Sequence, residues 1–150
     1  MRILVISDSH GDVYSLRKAI SQQPNAELIV FLGDGENDFA LCPIDKPCIM
    51  VRGNCDWGSS LPAFVVTEEK GYTIYITHGY AEGVKYGDVN LKMRAADCHA
   101  HIALYGHTHN PVTVYEDGLW LVNPGSIRDG NYAVVDLTPK GIMPILLKVR

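Results

Sequence analysis

The sequence has no run of basic residues, no apolar stretch long enough to cross a membrane and no CxxC pair. Each absence removes a class of function. Scattered Lys and Arg, at a formal charge of -4, give no stripe that could track a nucleic-acid backbone. The longest purely apolar runs are Ile3 to Ile6 and Leu28 to Leu32, far short of the roughly 20 residues a bilayer span needs. The first residues enter a strand-like run at once, without the charged, apolar and small-residue phases of a signal peptide, so a cytoplasmic location is expected. Four cysteines, at 42, 48, 55 and 98, then read as reduced thiols rather than as two disulfides. No internal repeat, linker or low-complexity stretch breaks the chain, and residues 1–150 are expected to form one domain.

What is present is a series of short apolar segments, each closed by a polar loop. Arg2 to Ile6 is a continuous β-favouring run, as in a strand covered on both faces. Asp12 can cap a helix through about Gln22, with Leu16, Ala19 and Ile20 on one face. Leu28 to Leu32 and Cys48 to Val51 make two more buried strands. Phe64 to Thr67 and Tyr72 to Thr77 read as a hairpin turning near Lys70-Gly71, and Asp88 to Ala96 has helical character. Ile102 to Tyr105 is a short strand. Val112 to Tyr115 and Leu119 to Val122 flank the turn signal Asp117-Gly118, and Tyr132 to Leu137 and Ile142 to Val149 complete a β-rich tail. The fold class is layered α/β, with two sheets packed face to face and helices outside.

Metal-capable residues sit where these strands end. Asp8 and His10 follow the first strand, Asp34 the second and Asn54 the third. His78 follows the hairpin, and His107 and His109 follow the strand after the second helix. Each is accompanied by a glycine (Gly11, Gly33, Gly53, Gly79, Gly106), which lets the backbone turn sharply and approach a ligand. Taken singly, every one of these motifs is an ordinary turn, a cap or a hydrogen-bonded core histidine. His107 and His109 resist that reading, because residues i and i+2 of an extended segment face the same side. His99 and His101 share the spacing, but a core strand follows at once, and both are assigned to structure or surface. Seven donor groups are too many for one ion. Carboxylate, imidazole and amide oxygen suit Mn, Fe, Zn, Ni or Co, with Mn favoured. If one carboxylate bridges, seven groups give four contacts to each of two divalent metal ions. With a bridging hydroxide the cluster is near +1, a charge that attracts phosphate.

The ordered set Asp8-Ser9-His10, Gly33-Asp34, Gly53-Asn54-Cys55-Asp56, His78-Gly79 and Gly106-His107-Thr108-His109 resembles the calcineurin-like metallophosphoesterase superfamily. More narrowly it is similar to the small phosphodiesterases that carry GNCD, and Asn123-Pro124-Gly125-Ser126 fits them too. The resemblance implies a β-sandwich flanked by helices, with Asp34 bridging two metals. It implies Asp8, His10 and His109 on one ion and Asn54, His78 and His107 on the other. Where most of the superfamily has a histidine after the motif asparagine, this chain has Cys55, a weaker donor without positive charge.

The expected activity is hydrolysis of a small phosphate ester, most readily a diester, by in-line attack of the metal-bridging hydroxide. All seven donors would act through that metal-held nucleophile. Cys55 is expected to be neither a ligand nor a covalent nucleophile, and Asp56 and Thr108 to orient ligands. Arg52 and Arg128 are the candidate phosphate contacts. The alternatives are a phosphomonoesterase or nuclease of the same superfamily, or a non-catalytic interaction scaffold like the trafficking-complex subunit that shares the fold. No membrane or strong nucleic-acid partner is expected, and self-association is left open.

Overall fold

The computed structural model describes residues 1–150. Ten strands and three α-helices follow in chain order: β1 (Arg2–Ile6), α1 (Val13–Gln22), β2 (Leu28–Phe31), α2 (Glu36–Ala40), β3 (Cys48–Met50), β4 (Phe64–Glu69), β5 (Tyr72–Thr77), α3 (Val89–Asp97), β6 (Ile102–Leu104), β7 (Val112–Glu116), β8 (Leu119–Asn123), β9 (Asn131–Thr138) and β10 (Gly141–Lys148). Single 3-10 turns occur at Val84–Tyr86 and Ile127–Asp129.

The strands form two five-stranded sheets, in the orders β10-β9-β1-β2-β3 and β4-β5-β6-β8-β7. Their centres are parallel: β1 pairs with β2 and β2 with β3, while β5 pairs with β6 and β6 with β8. The outer pairs β9–β10, β4–β5 and β7–β8 are antiparallel. Two of these hairpins turn through two residues, Lys70-Gly71 and Asp117-Gly118. All four have positive φ, the primed turn whose twist matches the flanking strands.

Side-chain alternation divides the core into layers. Ile3 and Val5 of β1 point inward with Val30, Ile74, Ile76, Leu104 and Val122, filling the space between the sheets. Leu4 and Ile6 point outward with Leu16 and Ala19 of α1 and Phe39 of α2. On the far face, Leu91 and Ala95 of α3 cover Tyr75, Ala103 and Leu121. The result is helix, sheet, sheet, helix. α1 begins where its sequence requires, with the Asp12 carboxylate accepting from the Ser15 amide at 2.9 Å.

The helix α2 has no counterpart in the sequence reading. Five residues are too few to show a helical period, and its first turn is held from outside by the Asp56 carboxylate, which accepts from the Gly35 and Glu36 amides.

Candidate metal centre

Donor residues stand at the carboxyl ends of the parallel strands of both sheets. That edge is where open α/β sheets form ligand crevices. The backbone there is unusual. Asp8, His10, Asp34, His107 and His109 all have positive φ, between 43° and 70°. An L-residue pays about 1–2 kcal/mol for that conformation. Five such residues in one place mark a site held against local preference.

The structure brings all seven sequence-selected donors together. The Nε2 atoms of His10 and His109 are 3.2 Å apart, and each faces Asp8 Oδ1, at 3.4 and 3.1 Å. Asp34 Oδ2 lies 3.7 Å from His10 Nε2 and 3.3 Å from His78 Nε2. Asn54 Oδ1 is 2.9 Å from His78 Nε2, and His107 packs edge-on to the His78 ring. Asp8 with His10 and His109, and Asp34 with His78 and His107, form two groups whose ligand atoms all lie within 4.8 Å of one another.

Hydrogen bonding splits each carboxylate into a held oxygen and a free one. Asp8 Oδ2 accepts from the Ser7 hydroxyl and the His107 amide, leaving Oδ1 toward the imidazoles. Asp34 Oδ1 accepts from the Cys55 amide at 2.8 Å, leaving Oδ2 between His10 and His78. His78 Nδ1 donates to the Leu32 carbonyl at 2.7 Å, which turns the Nε2 lone pair into the cluster. A lone pair therefore meets a lone pair at His78 against Asn54, while His10 and His109 bring their Nε2 atoms to the same Asp8 oxygen. Such an arrangement needs a proton or a cation between the partners. The oxygen and nitrogen donors fit divalent metal ions.

Charge interactions couple the buried members of the cluster. Burial works to raise the Asp34 pKa, but His78, the Cys55 amide and His10 outweigh it and hold this carboxyl well below the usual range. Burial works to lower the His78 pKa, but Asp34, Asp8 and the Leu32 carbonyl outweigh it and push it up. Burial, helped by His78 and Lys85, lowers the His107 pKa.

Around the donors lies a frame that the sequence reading found only in part. The Asp56 carboxylate accepts from four amides: Asp34 and Gly53 through Oδ2, at 2.9 and 2.7 Å, and Gly35 and Glu36 through Oδ1, at 2.9 and 3.1 Å. It ties the loop after β3 to the loop after β2. Ser9 and the Gly11 amide both donate to Asp38 Oδ2, fixing the loop after β1 to α2. Asn123 donates to the Gly106 carbonyl and to Thr108 Oγ1, both at 3.0 Å, and Ser126 donates to the Asp8 carbonyl at 2.7 Å. Thr108 thus shapes its loop without contacting the donors in these bonds. Gly53 and Gly106 have no room for a Cβ, which would strike Asp34 and Ser7 respectively. Ser7, Asp38, Asn123 and Ser126 went unassigned in the sequence. Only Asn123 and Ser126 carried a signal, the Asn-Pro-Gly-Ser segment behind a strand.

Two clefts flank the donors. The larger, about 520 Å³, is lined by Asn54, His78, Arg52, Trp57 and Tyr80 among others. The smaller, about 260 Å³, includes His10, Asp34, Cys55, Glu36 and again Trp57. Arg52 donates to the Leu61 carbonyl at 2.7 Å and faces the larger cleft, whereas Arg128 is exposed and lines neither. The Cys55 thiol groups with His10 and Asp34 as a third possible donor set. Burial and the Asp34, Asp56 and Asp8 carboxylates push its pKa up. His101 stands apart, accepting from the Thr73 amide at 2.9 Å.

The sequence profile of the calcineurin-like phosphoesterase superfamily domain matches residues 1–139. The chain belongs to this superfamily. Among phosphoesterase relatives, a probable metallophosphoesterase of Bacillus subtilis is 32% identical over 129 residues, covering 85% of this chain and 76% of its own. A phosphodiesterase of Methanocaldococcus jannaschii is 26% identical over 144 residues, covering 83% of each. The same fold occurs in Vps29 of Chaetomium thermophilum, with a TM-score of 0.77, 16% identity and 99% of each chain covered. That likeness concerns architecture alone. Membership makes the chain a metal-dependent phosphoesterase of the superfamily, and no helix in it is long and apolar enough to cross a membrane.

Proposed function

We propose that the protein is a phosphodiesterase whose centre holds two divalent metal ions, with Asp34 shared between them. The observation that carries this is the position of Asp34 Oδ2 between His10 of one donor group and His78 of the other. Asp8, His10 and His109 would hold one ion, and Asn54, His78 and His107 the other. When bound, the ions supply Lewis acidity to the phosphoryl oxygens and activate water for attack. Mn²⁺ is the favoured occupant, because the seven sequence-selected donors are oxygen and nitrogen.

The chain's own residues do the positioning. The held oxygens of Asp8 and Asp34 keep the free ones aimed at the cluster, and the Leu32 carbonyl fixes the His78 tautomer. Asp56 keeps the Asp34 and Asn54 loops in register. Little else is cationic. Arg52 is the one arginine lining either cleft, and one of its guanidinium nitrogens is already engaged. A diester, with one negative charge, fits this supply better than a monoester near its dianion. Without an imidazole at position 55, departure of poor leaving groups lacks acid help, typically worth about 10²–10⁴-fold.

An interaction scaffold of the same architecture needs no such convergence of strained donors. The test is hydrolysis of matched aryl and alkyl monoesters and diesters by chelator-treated protein before and after adding Mn²⁺. The expected result is no turnover before addition, recovery after it, and aryl diesters as the best substrates. Full turnover by verified metal-free protein would sink the reading, and a preference for alkyl monoesters would sink its diester part.

A further inference from the structure

We propose that the larger cleft seats a planar aromatic ring of the substrate, of nucleobase size, against Trp57 and Tyr80. This rests on the phosphodiesterase reading and names the substituent that its ester carries.

Trp57 is 92% exposed and Tyr80 62% exposed, yet both line the cleft that opens onto Asn54 and His78. Large aromatic side chains normally bury 150–250 Å², so two left open at one cavity mouth mark a binding surface. Neither is on a loose segment. Trp57 directly follows Asp56, whose carboxylate is fixed by four amides. The turn carrying it is closed by Asp56 N to Gly53 O and Ser59 N to Asp56 O, both 3.2 Å. Arg52 anchors the far side through the Pro62 and Leu61 carbonyls. Tyr80 stands edge-on to His107, with centroids 5.5 Å apart, which ties its ring to the donor cluster.

The volume fits as well. About 520 Å³ lies within the range of small-molecule sites and exceeds what a methyl or ethyl ester would fill. The smaller cleft holds Glu36, Asp38 and Asp56 and no Lys or Arg, so an arm bearing an anionic or electron-rich ring is better placed on the Arg52 side. Stacking on Trp57 and Tyr80 tolerates any base, since every base has a π-face.

The test compares thymidine 5′-monophosphate with 2-deoxyribose 5-phosphate as inhibitors of bis(p-nitrophenyl) phosphate turnover by the Mn²⁺-loaded protein. The second carries a hydroxyl where the first carries the thymine ring. Thymidine 5′-monophosphate should bind more tightly, and the ratio of inhibition constants should shrink by about tenfold in Trp57→Ala. Trp57→Phe should keep most of the ratio, and Tyr80→Ala should reduce it. Equal inhibition constants in the parent protein, or an unchanged ratio in both alanine variants, overturn the proposal. If the loaded protein hydrolyses no diester, the phosphodiesterase reading itself fails, and the cleft is then read directly. In a Trp120→Phe background Trp57 is the only tryptophan left. Thymidine 5′-monophosphate should quench its fluorescence saturably where 2-deoxyribose 5-phosphate does not. Absence of that difference overturns the stacking surface independently.

Discussion

At the scale of single residues, the centre combines backbone strain with amide anchoring. His109 sits at φ 61°, a conformation an L-residue adopts at a cost and glycine adopts freely. In chelator-treated protein, His109→Gly should therefore be more stable than His109→Ala by about 1 kcal/mol. Thermal melts of the two variants decide this, and equal melting temperatures would remove the claim of strain. Asp56 makes the opposite case, since it donates nothing to an ion directly and holds four amides in place. Asp56→Ala should weaken metal binding by about 10–100-fold, as residues that orient ligands do. Calorimetric titration with Mn²⁺ measures it, and native affinity in the variant would make Asp56 a purely local cap.

Among secondary-structure elements, β1 lies at the middle of its sheet and carries the first donors at its end, so its pairing with β9 supports the site. Arg2 and Asp136 are paired across these strands and bond twice, Nε to Oδ1 at 2.8 Å and an Nη to Oδ2 at 2.9 Å. Hydrogen bonding to Arg2 lowers the Asp136 pKa despite partial burial, and the Arg2 charge adds to it. A depressed carboxylate contributes stability above its unfolded value of about 3.9 and loses it as pH falls through the folded value. Both groups are partly exposed, so Asp136→Asn should cost at most about 1 kcal/mol at pH 7. The cost should vanish in strongly acidic solution. Urea melts across pH test this, and a pH-independent difference would show that charge is not its source.

Elements with strong periodicity or turn chemistry were legible in the sequence. β1, α1 and the hairpins at Lys70-Gly71 and Asp117-Gly118 all follow local rules, and their ends fall within a residue or two of expectation. Less legible were α2, which is only five residues long, and the one-turn helices at Val84 and Ile127. The donors announced themselves because each ends a strand beside a glycine. Ser7 and Asp38 announced nothing, because their roles arise from loops meeting in space. Hydrogen bonds from Ser9 and Gly11 to Asp38 span more than 25 positions of sequence.

For the whole molecule, the two parallel strand sets explain why distant residues meet. Three strands of one sheet and two of the other end beside the same crevice, so seven donors from residues 8 to 109 reach one cluster. Packing of Ile3, Val5, Ile76 and Leu104 between the sheets holds the two sets of strand ends face to face, so each donor group draws residues from both sheets. Asp34 Oδ2 lies between those groups, facing His10 of one and His78 of the other. The most direct measurement is metal content by elemental analysis after Mn²⁺ loading and desalting. The parent protein should hold two ions per chain, and His109→Ala should lose mainly one. Asp34→Asn should lose occupancy at both sites. Two ions retained in Asp34→Asn would contradict the shared-carboxylate centre.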